Sequence, residues 1–345
     1  MTKTKKIVVQ ASGSYDIIIG NGIIQDVCKY LSKAFLSGTA VVVTDDNVDK
    51  LYSDVLLNAL KDGGYNAIKY VIKAGEGSKN LTTYSKILSF MAENGITRKD
   101  FIIALGGGVV GDLSGFLAAT YLRGINFIQI PTTLLAQIDS SVGGKTGVDL
   151  PEGKNLVGAF KQPKLVLCDV ACLSTLPQAV FNDGMGEMVK YALLDKDIFN
   201  LFALGALENL TDLIYLSIDY KRKIVEADEF EQSVRKLLNL GHTPAHGVEK
   251  LSNYTISHGN AVAMGVKIMV NSALKRGNIS QDVYDNIIGT LGKYLSDTDF
   301  DTELLAKTAF YDKKRAGDYI DIISVYGIGD CRIERISFTD LKEYF

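Results

Sequence analysis

The chain contains three histidines, His242, His246 and His258, and all of them lie within a stretch of seventeen residues. Histidines that only fill a hydrophobic core would be scattered along the chain. One interpretation is therefore that two of them bind a divalent metal while the third transfers protons, since neutral imidazole is a common metal ligand and titrates near neutrality. The alternative is that they cap or pack helices.

The spacing of these histidines disfavours one class of metal site. His242 and His246 enclose Thr-Pro-Ala, so the glutamate of the HExxH protease motif is missing. A catalytic zinc site needs three protein ligands and one open position. We expect the third ligand to be a carboxylate, which the spacing alone does not identify.

A glycine-rich turn, GGGVVGD at residues 106–112, follows the apolar run FIIAL and precedes an apolar helical pattern. Glycines between a strand and a helix let the backbone approach a pyrophosphate, and the helix N-terminus offers N–H donors. The turn matches neither GxGxxG nor a P-loop. Asp45, after the apolar run AVVVT, is well placed for ribose hydroxyls, although Asp46 or Asn47 could equally cap the next helix.

The first half of the chain alternates strand and helix patterns, which predicts a parallel sheet of βαβ units. The predicted strands are residues 15–20, 40–44, 67–72, 101–105 and 126–130, with helices over 48–63 and 81–94.

Helical patterns dominate after about residue 174. They cover residues 178–194, 209–228, 232–240, 245–251 and 260–276, and a short strand is expected at 319–326. Thr243 is predicted as the N-cap of the helix that carries His246, with Pro244 in its first turn. We therefore expect two domains, residues 1–174 and 175–345.

The composition sets outer bounds on function. The chain has 345 residues, 47% hydrophobic and 22% charged, and a net charge of −3, which argues against nucleic acid as the main partner. No signal peptide or apolar run of roughly 20 residues is present. Of the four cysteines, Cys168 and Cys172 are interpreted as small buried hydrophobes rather than metal ligands. A reduced, cytoplasmic location with no membrane partner is expected.

Several of these segments together resemble the 3-dehydroquinate synthase family. The resemblance covers roughly residues 15–335 and rests on GGGVVGDLSGFLAATYLRGINFIQIPTTLLAQIDSSVGGKTGVDLPEGKNLVGAF, followed by GMGEMVKYALL, RKLLNLGHTPAHGVE, SHGNAVAMG and DKKRAGD. It implies a Rossmann-like NAD-binding α/β domain followed by a mainly helical domain that binds metal and substrate.

The resemblance also implies roles for individual residues. Glu187, His242 and His258 would bind Zn²⁺ or Co²⁺, and His246 would transfer protons. The cofactor NAD would lie against Asp45, Glu76, Lys79, Gly108, Val109, Val110, Gly111, Asp112, Thr132, Thr133, Lys145, Lys154, Cys172, Leu173, Ser174 and Thr175.

The remaining implied residues hold the substrate. Those assigned to catalysis with His246 are Lys145, Lys190, Lys221, Arg235 and Asn239, and those assigned to binding are Asp139, Lys154, Asn155, Arg123 and Lys313 or Lys314. Arg123 would reach the phosphate site of a neighbouring subunit, which implies a homodimer. One departure stands out, because the family usually has glutamate after His-Gly where this chain has Asn260. The missing charge could alter a contact that tunes the metal site.

The implied reaction converts 3-deoxy-arabino-heptulosonate 7-phosphate to 3-dehydroquinate and phosphate, a step of the shikimate pathway towards aromatic amino acids. The steps are transient oxidation by NAD⁺, phosphate elimination, reduction, ring opening and intramolecular aldol closure, which makes the enzyme a phosphate-eliminating lyase. Three alternatives remain: a metal-dependent polyol dehydrogenase, a related sugar-phosphate cyclase with another substrate, and a catalytically inactive NAD-binding module.

Overall fold

The computed structural model describes residues 4–31, 38–298, 300–313 and 318–345. The chain divides into two compact units, Met1–Leu176 and Pro177–Phe345, so the division lies after Leu176 rather than after residue 174. Each unit is described separately below.

A seven-stranded sheet forms the centre of the first unit. Its strands lie in the order β1-β2-β9-β6-β5-β3-β4, and every neighbouring pair is parallel except β1 with β2. The strands are β1 (Lys5–Gln10), β2 (Ser14–Gly20), β3 (Thr39–Asp45), β4 (Asn66–Ile72), β5 (Phe101–Gly106), β6 (Asn126–Pro131) and β9 (Leu165–Asp169), with a separate antiparallel hairpin of β7 (Lys145–Leu150) and β8 (Gly153–Phe160).

Helices cover both faces of the sheet, which explains why its central strands are continuous apolar runs. Val42 of β3 packs in one core cluster, with helices α1 (Val27–Leu31) and α2 (Asp54–Asp62). Val41 and Val43 pack in the opposite cluster, with helices α3 (Leu81–Glu93) and α4 (Gly108–Thr120). The predicted parallel α/β organisation is therefore confirmed.

The order of the strands creates a crevice at the carboxyl edge of the sheet. From β3 the chain moves outward to β4, and it then returns to the other side of β3 to form β5 and β6. In open α/β sheets, ligands bind where the strand order reverses in this way. The reversal lies between the carboxyl ends of β3 and β5, where Asp45 and the glycine-rich turn are located.

The second unit is mainly helical. Its elements are α5 (Gln178–Leu194), α6 (Lys196–Ala203), α7 (Leu210–Ala227), α8 (His242–Leu251), α9 (His258–Lys275), α10 (Gln281–Leu291), α11 (Thr302–Lys313) and the antiparallel hairpin β10 (Tyr319–Gly327) and β11 (Asp330–Ser337). No helix among the described residues is long and apolar enough to cross a membrane.

Several local predictions in this unit need correction. Helix α8 begins at His242 behind a left-handed Gly241, so Thr243 is not its N-cap. Helix α9 begins at His258, two residues before the predicted start at Asn260. The helix predicted over residues 232–240 is a shorter 3₁₀ segment, Val234–Asn239.

Candidate active site

Three side chains that can bind a metal come together within the second unit: Glu187, His242 and His258. Each comes from a different helix, since Glu187 lies on α5 and the histidines occupy the first positions of α8 and α9. The Oε1 atom of Glu187 lies 3.5 Å from Nε2 of His242 and 3.3 Å from Nε2 of His258. One carboxylate oxygen and two imidazole nitrogens form a donor set suited to zinc or cobalt, and the ligand atoms all lie within 4.8 Å of one another.

Hydrogen bonds at Nδ1 of His242 and of His258 determine that Nε2 of each ring faces Oε1 of Glu187. Nδ1 of His242 donates to the carbonyl oxygen of Leu240 at 3.2 Å. Nδ1 of His258 donates to Oε1 of Glu249 at 3.4 Å, and Glu249 is buried. With Nδ1 protonated, the lone pair of a neutral ring is on Nε2, the atom nearest to Glu187. Such outer partners orient metal ligands, so the donor set is preorganised.

The two histidines differ in their charge when no metal is bound. Burial lowers the pKa of His242 to about 3, which keeps its ring neutral. Burial also disfavours the charged form of His258, but its hydrogen bonds to Glu187 and Glu249 outweigh that effect and raise its pKa to about 10. A metal ion therefore has to displace a proton from His258, as is usual for histidine ligands.

Close backbone contacts hold the ligand-bearing helices together. A Cβ atom at Gly186 would lie 2.0 Å from the carbonyl oxygen of Gly259, so α5 and α9 touch at the residues next to Glu187 and His258. Gly241, next to His242, has φ +77°, and a Cβ there would lie 2.7 Å from the amide nitrogen of Val266 on α9. These contacts require glycine, and they fix the backbone beside all three ligands.

Three of the predicted substrate-binding cations are buried in the same unit. Lys190, Lys221 and Arg235 are 1%, 6% and 1% exposed. Nζ of Lys190 lies 2.5 Å from Oε2 of Glu187, the carboxylate oxygen that is not shared by the histidines. Burying a cation costs free energy unless a counter-charge accompanies it, and Glu187 supplies that counter-charge for Lys190.

The segment between α7 and α8 is organised by one carboxylate, that of Asp228. Its oxygens accept hydrogen bonds from the amide nitrogens of Gln232, Ser233 and Arg235 at 2.9, 2.6 and 3.1 Å. Burial alone would raise the pKa of Asp228, but these backbone hydrogen bonds lower it to about 2. The guanidinium of Arg235 also donates to the carbonyl oxygen of Glu229. Asp228 therefore sets the backbone that presents Arg235.

Two other predicted catalytic residues, Asn239 and His246, follow Arg235 in the chain. Asn239 donates from its amide to Oε1 of Glu231 at 2.7 Å. His246 is exposed and lies one turn along α8 from His242, with the ring centroids 5.9 Å apart and the rings nearly perpendicular. An exposed imidazole next to such a donor set is suited to moving protons between a bound molecule and water.

At the carboxyl edge of the first unit, the glycine-rich turn leads directly into α4. Among the described residues, no side chain caps this helix, whose N-cap position is Gly107. Its first N–H groups and dipole therefore suit a pyrophosphate. Thr132, buried, donates its amide to the carbonyl oxygen of Gly106, which places the end of β6 beside the turn. Thr133 follows it in the chain.

The carboxylate of Asp45 accepts hydrogen bonds from the backbone that follows it. Oδ1 accepts hydrogen bonds from the amide nitrogens of Asn47 and Val48 at 2.9 and 3.1 Å. The expected alternative cap, Asp46, instead accepts from the amide of Ala74 at 2.8 Å.

Lys79 links the cofactor residues to the hairpin. It is 4% exposed, and its Nζ atom lies 2.7 Å from Oδ2 of Asp112 and 2.6 Å from Oδ1 of Asn155. Burial would lower the pKa of Lys79, but the Asp112 and Glu76 carboxylates outweigh it and raise the pKa above its usual value. Asn155 itself has φ 56°, and its amide nitrogen donates to Oδ1 of Asp149 at 2.7 Å. Residues assigned separately to cofactor and substrate therefore share one network.

The other predicted residues of the first unit lie on strands β7 and β8 or in short helical turns. Lys145 begins β7, Lys154 lies on β8, and Asp139 lies in the π-helical turn Ala136–Ser140. Cys172 to Thr175 lie in the 3₁₀ segment Val170–Thr175, where Tyr52 bonds to Thr175 at 2.6 Å. Burial raises the pKa of Cys172 to about 12, so this thiol stays protonated and is unsuited to metal binding.

Arg123 lies in a strained turn. It is exposed, with φ 68°, between Leu122 at φ 50° and Gly124 at φ 121°. The carbonyl oxygen of Leu122 accepts a hydrogen bond from Nε of Arg98 at 3.0 Å. Strained backbone often marks a functional position. Of the remaining candidates, Lys314 and the side chain of Lys313 lie outside the described residues.

Reasoning from sequence missed Glu249 and Asp228, which contact the His258 ring and backbone amides respectively. Glu249 had a usable signal, because it follows His242 by seven residues and thus lies two turns away on the same face of a helix.

Comparisons with known proteins agree across the chain. The 3-dehydroquinate synthase N-terminal family matches residues 69–183, and the 3-dehydroquinate synthase C-terminal family matches residues 184–315. The 3-dehydroquinate synthase of Clostridium kluyveri is 44% identical over 338 residues, which cover 95% of this chain and 94% of that protein.

Two solved structures share the fold over nearly the full length. A 2-deoxy-scyllo-inosose synthase, complexed with carbaglucose-6-phosphate, NAD⁺ and Co²⁺, has a TM-score of 0.86 at 24% identity, with 99% of both chains covered. The 2-epi-5-epi-valiolone synthase ValA from Streptomyces hygroscopicus, with NAD⁺ and Zn²⁺ bound, has a TM-score of 0.84 at 25% identity, covering 99% of this chain and 98% of that one.

Proposed function

The chain belongs to the 3-dehydroquinate synthase family, and from that premise we propose that it converts 3-deoxy-arabino-heptulosonate 7-phosphate to 3-dehydroquinate and phosphate. The observation that carries this proposal is the convergence of Glu187, His242 and His258, in a chain that matches such synthases from end to end. The proposed reaction would make the chain a phosphate-eliminating lyase of the shikimate pathway.

We propose that Glu187 Oε1 and the two Nε2 atoms hold a divalent ion, Zn²⁺ or Co²⁺, and that the carboxyl edge of the sheet holds NAD. Supporting the first are the distances of 3.3 and 3.5 Å and the outer hydrogen bonds of both rings. Supporting the second are the uncapped start of α4 and the cation of Lys79. When bound, the ion would supply Lewis acidity and NAD would supply reversible hydride transfer.

The protein's own side chains bind and orient the substrate. Lys190, Lys221 and Arg235 are buried cations that neutralise its carboxylate and phosphate, and arginine can do so with two parallel hydrogen bonds. Asn239, held by Glu231, offers a further polar contact. His246 accepts and returns protons at the exposed side of α8.

Further proposed contact residues belong to the first unit. We propose that Lys145, Lys154, Asn155 and Asp139 contact substrate or cofactor, and that Lys313 or Lys314 adds a cation. A homodimer in which Arg123 reaches the neighbouring active site remains part of the proposal, supported by the exposure and strain of its turn. The four free thiols accord with the predicted cytoplasmic location.

Phosphate release from the heptulosonate phosphate tests this function directly. The assay uses a catalytic amount of NAD⁺, before and after chelation, while absorbance reports NADH. We expect stoichiometric phosphate without net NADH, lost on chelation and restored by Zn²⁺ or Co²⁺. Accumulating NADH would instead indicate a polyol dehydrogenase, and turnover of a different sugar phosphate only would indicate another cyclase.

A further inference from the structure

The N-terminus of α9, which carries His258, is capped from outside its own helix. Ser257 occupies the N-cap position, yet its side chain accepts no hydrogen bond from the amides of the first turn. The amide nitrogen of Asn260 instead donates to Oδ1 of Asp183 at 3.1 Å. Asp183 lies on α5, one turn before Glu187. Helix α5 thus supplies both the proposed metal ligand Glu187 and the cap of α9, the helix that carries His258.

Asn260 contacts Ser257, the N-cap residue, through its side chain rather than through its backbone amide. The side-chain amide of Asn260 donates to Oγ of Ser257 at 2.8 Å, while its backbone amide donates to Asp183. With Ser257 as N-cap, Asn260 is the third residue of the helix, the position that holds glutamate in a capping box. There, the serine hydroxyl accepts from the amide of the third residue, and the glutamate reaches back to the amide of the N-cap.

The packing around Asp183 fixes its position as a cap. A Cβ atom at Gly259 would lie 1.8 Å from the carbonyl oxygen of Asp183 and 2.9 Å from its Oδ1. The backbone and carboxylate of Asp183 therefore both rest against the residue that follows His258. A carboxylate at this place also offsets the positive end of the helix dipole, since the first turn of α9 contains no acidic residue of its own.

From these contacts we propose that Asp183 is the positioning residue for His258, and that it supplies at the start of α9 the carboxylate that Asn260 lacks. This inference rests on the proposed metal site of Glu187, His242 and His258. The carboxylate that anchors the start of α9 lies on its partner α5, so Asp183 fixes the direction of the His258 ring relative to Glu187.

Binding of Co²⁺ alone tests the role, because its visible absorption reports both affinity and ligand geometry. Asp183→Ala should weaken Co²⁺ binding roughly tenfold, the lower end of effects seen for groups that orient metal ligands. Asp183→Asn, which removes the charge but keeps an acceptor, should weaken it less and guards against misfolding of the alanine variant. Asp183→Ala with Asn260→Glu should recover most of the affinity, because it frees the Ser257 hydroxyl and restores a capping box.

A matched control separates positioning from general helix stability. Ser280→Ala removes a side-chain cap from α10, where Oγ accepts from the amide of Val283 at 3.4 Å. It should lower the Tm but leave the Co²⁺ affinity and spectrum unchanged. Equal loss of affinity in Ser280→Ala and Asp183→Ala, or unchanged affinity in Asp183→Ala, would overturn the inference, as would failure of the double variant to recover.

Hydrogen exchange measured on the metal-free protein tests the positioning role of Asp183 separately from the proposed function. Hydrogen exchange of the Asn260 amide should accelerate in Asp183→Ala and return towards the wild-type rate in the double variant. If wild-type protein bound no divalent ion, the proposed function would fail while this readout still tested the cap. If wild-type protein bound Co²⁺ and turned over, but exchange at Asn260 were unaffected by Asp183→Ala, only the positioning role would fail.

Discussion

Replacing Asp228 with asparagine should weaken substrate binding and remove a pH-dependent part of the stability. Oδ2 accepts from the amides of Ser233 and Arg235 and from the Ser233 hydroxyl, while Oδ1 accepts from the amide of Gln232. An asparagine oxygen can keep the bonds at the Oδ2 position. Its NH₂ group then faces the amide of Gln232, so one hydrogen bond is lost and the others lose their ionic character.

The size of the effect follows from the pKa of Asp228, which the backbone amides lower from 3.8 to about 2. One pKa unit corresponds to about 1.4 kcal/mol, and solvent screening reduces the contribution, so we expect about 1–2 kcal/mol at neutral pH. A carboxyl group whose pKa is lower in the folded state than in the unfolded state stabilises the protein at pH values above its unfolded-state pKa. The contribution is therefore present above pH 4 and disappears as the pH falls towards 2.

Urea unfolding at several pH values and steady-state kinetics measure the two effects. Asp228→Asn should lose about 1–2 kcal/mol at pH 7, with the gap to wild type narrowing below pH 4, and should raise the substrate KM because Arg235 is presented by this segment.

Asp100 provides the matched control in the first unit, where its carboxylate accepts from the amides of Thr39 and Thr97, both at 2.6 Å. Asp100→Asn should lose stability without changing the substrate KM. A stability gap for Asp228→Asn that does not change with pH, or an unchanged KM, would refute the reasoning.

Three further predictions concern the proposed site. Glu187→Gln should reduce bound Zn²⁺ well below one ion per chain by elemental analysis, because it removes the charge shared by both Nε2 atoms; full occupancy would contradict this ligand. Lys79→Met should raise the dissociation constant of NADH, measured by fluorescence, by at least tenfold. The substitution removes the ammonium group that lies 2.7 Å from the Asp112 carboxylate, at the place where the pyrophosphate is expected. An unchanged affinity would mean that NAD binds elsewhere. Arg123→Ala should slow phosphate release, and mixing it with an inactive Glu187→Gln chain should restore part of the activity if Arg123 serves the partner's site; no recovery would argue against sharing.

The sequence was most informative where both burial and periodicity were strong. The run AVVVT of β3 is apolar on both faces because helices cover both, so its strand and the parallel sheet were predictable. Strands β1 (KKIVVQ) and β11 and the hairpin β7–β8 were missed, because half-exposed antiparallel strands carry shorter and more polar patterns. The parallel strand β9 (LVLCD) was missed as well, although it is buried and as apolar as β3.

The site was harder to derive from residues alone. The histidine cluster was visible in the sequence, but Glu187 lies on another helix far earlier in the chain, and only the crossing of α5 with α9 brings it to His258. The start of α8 was predicted wrongly because Thr243 and Pro244 resemble a cap, whereas the left-handed Gly241 is what ends the preceding segment. Asp183 and Asp228 act on backbone amides of other segments, and no local pattern distinguishes such an aspartate from a solvated one.

The glycine contacts at Gly186, Gly241 and Gly259 also restrict how such a protein can evolve. Any side chain at these positions would have to enter space held by another backbone, so the framework carrying the three proposed ligands cannot be altered in small steps. Changes of substrate preference are then expected to accumulate in α7 and in the segment that follows it, where Lys221, Arg235 and Asn239 lie. A library randomised there should yield folded variants far more often than one randomised at the three glycines.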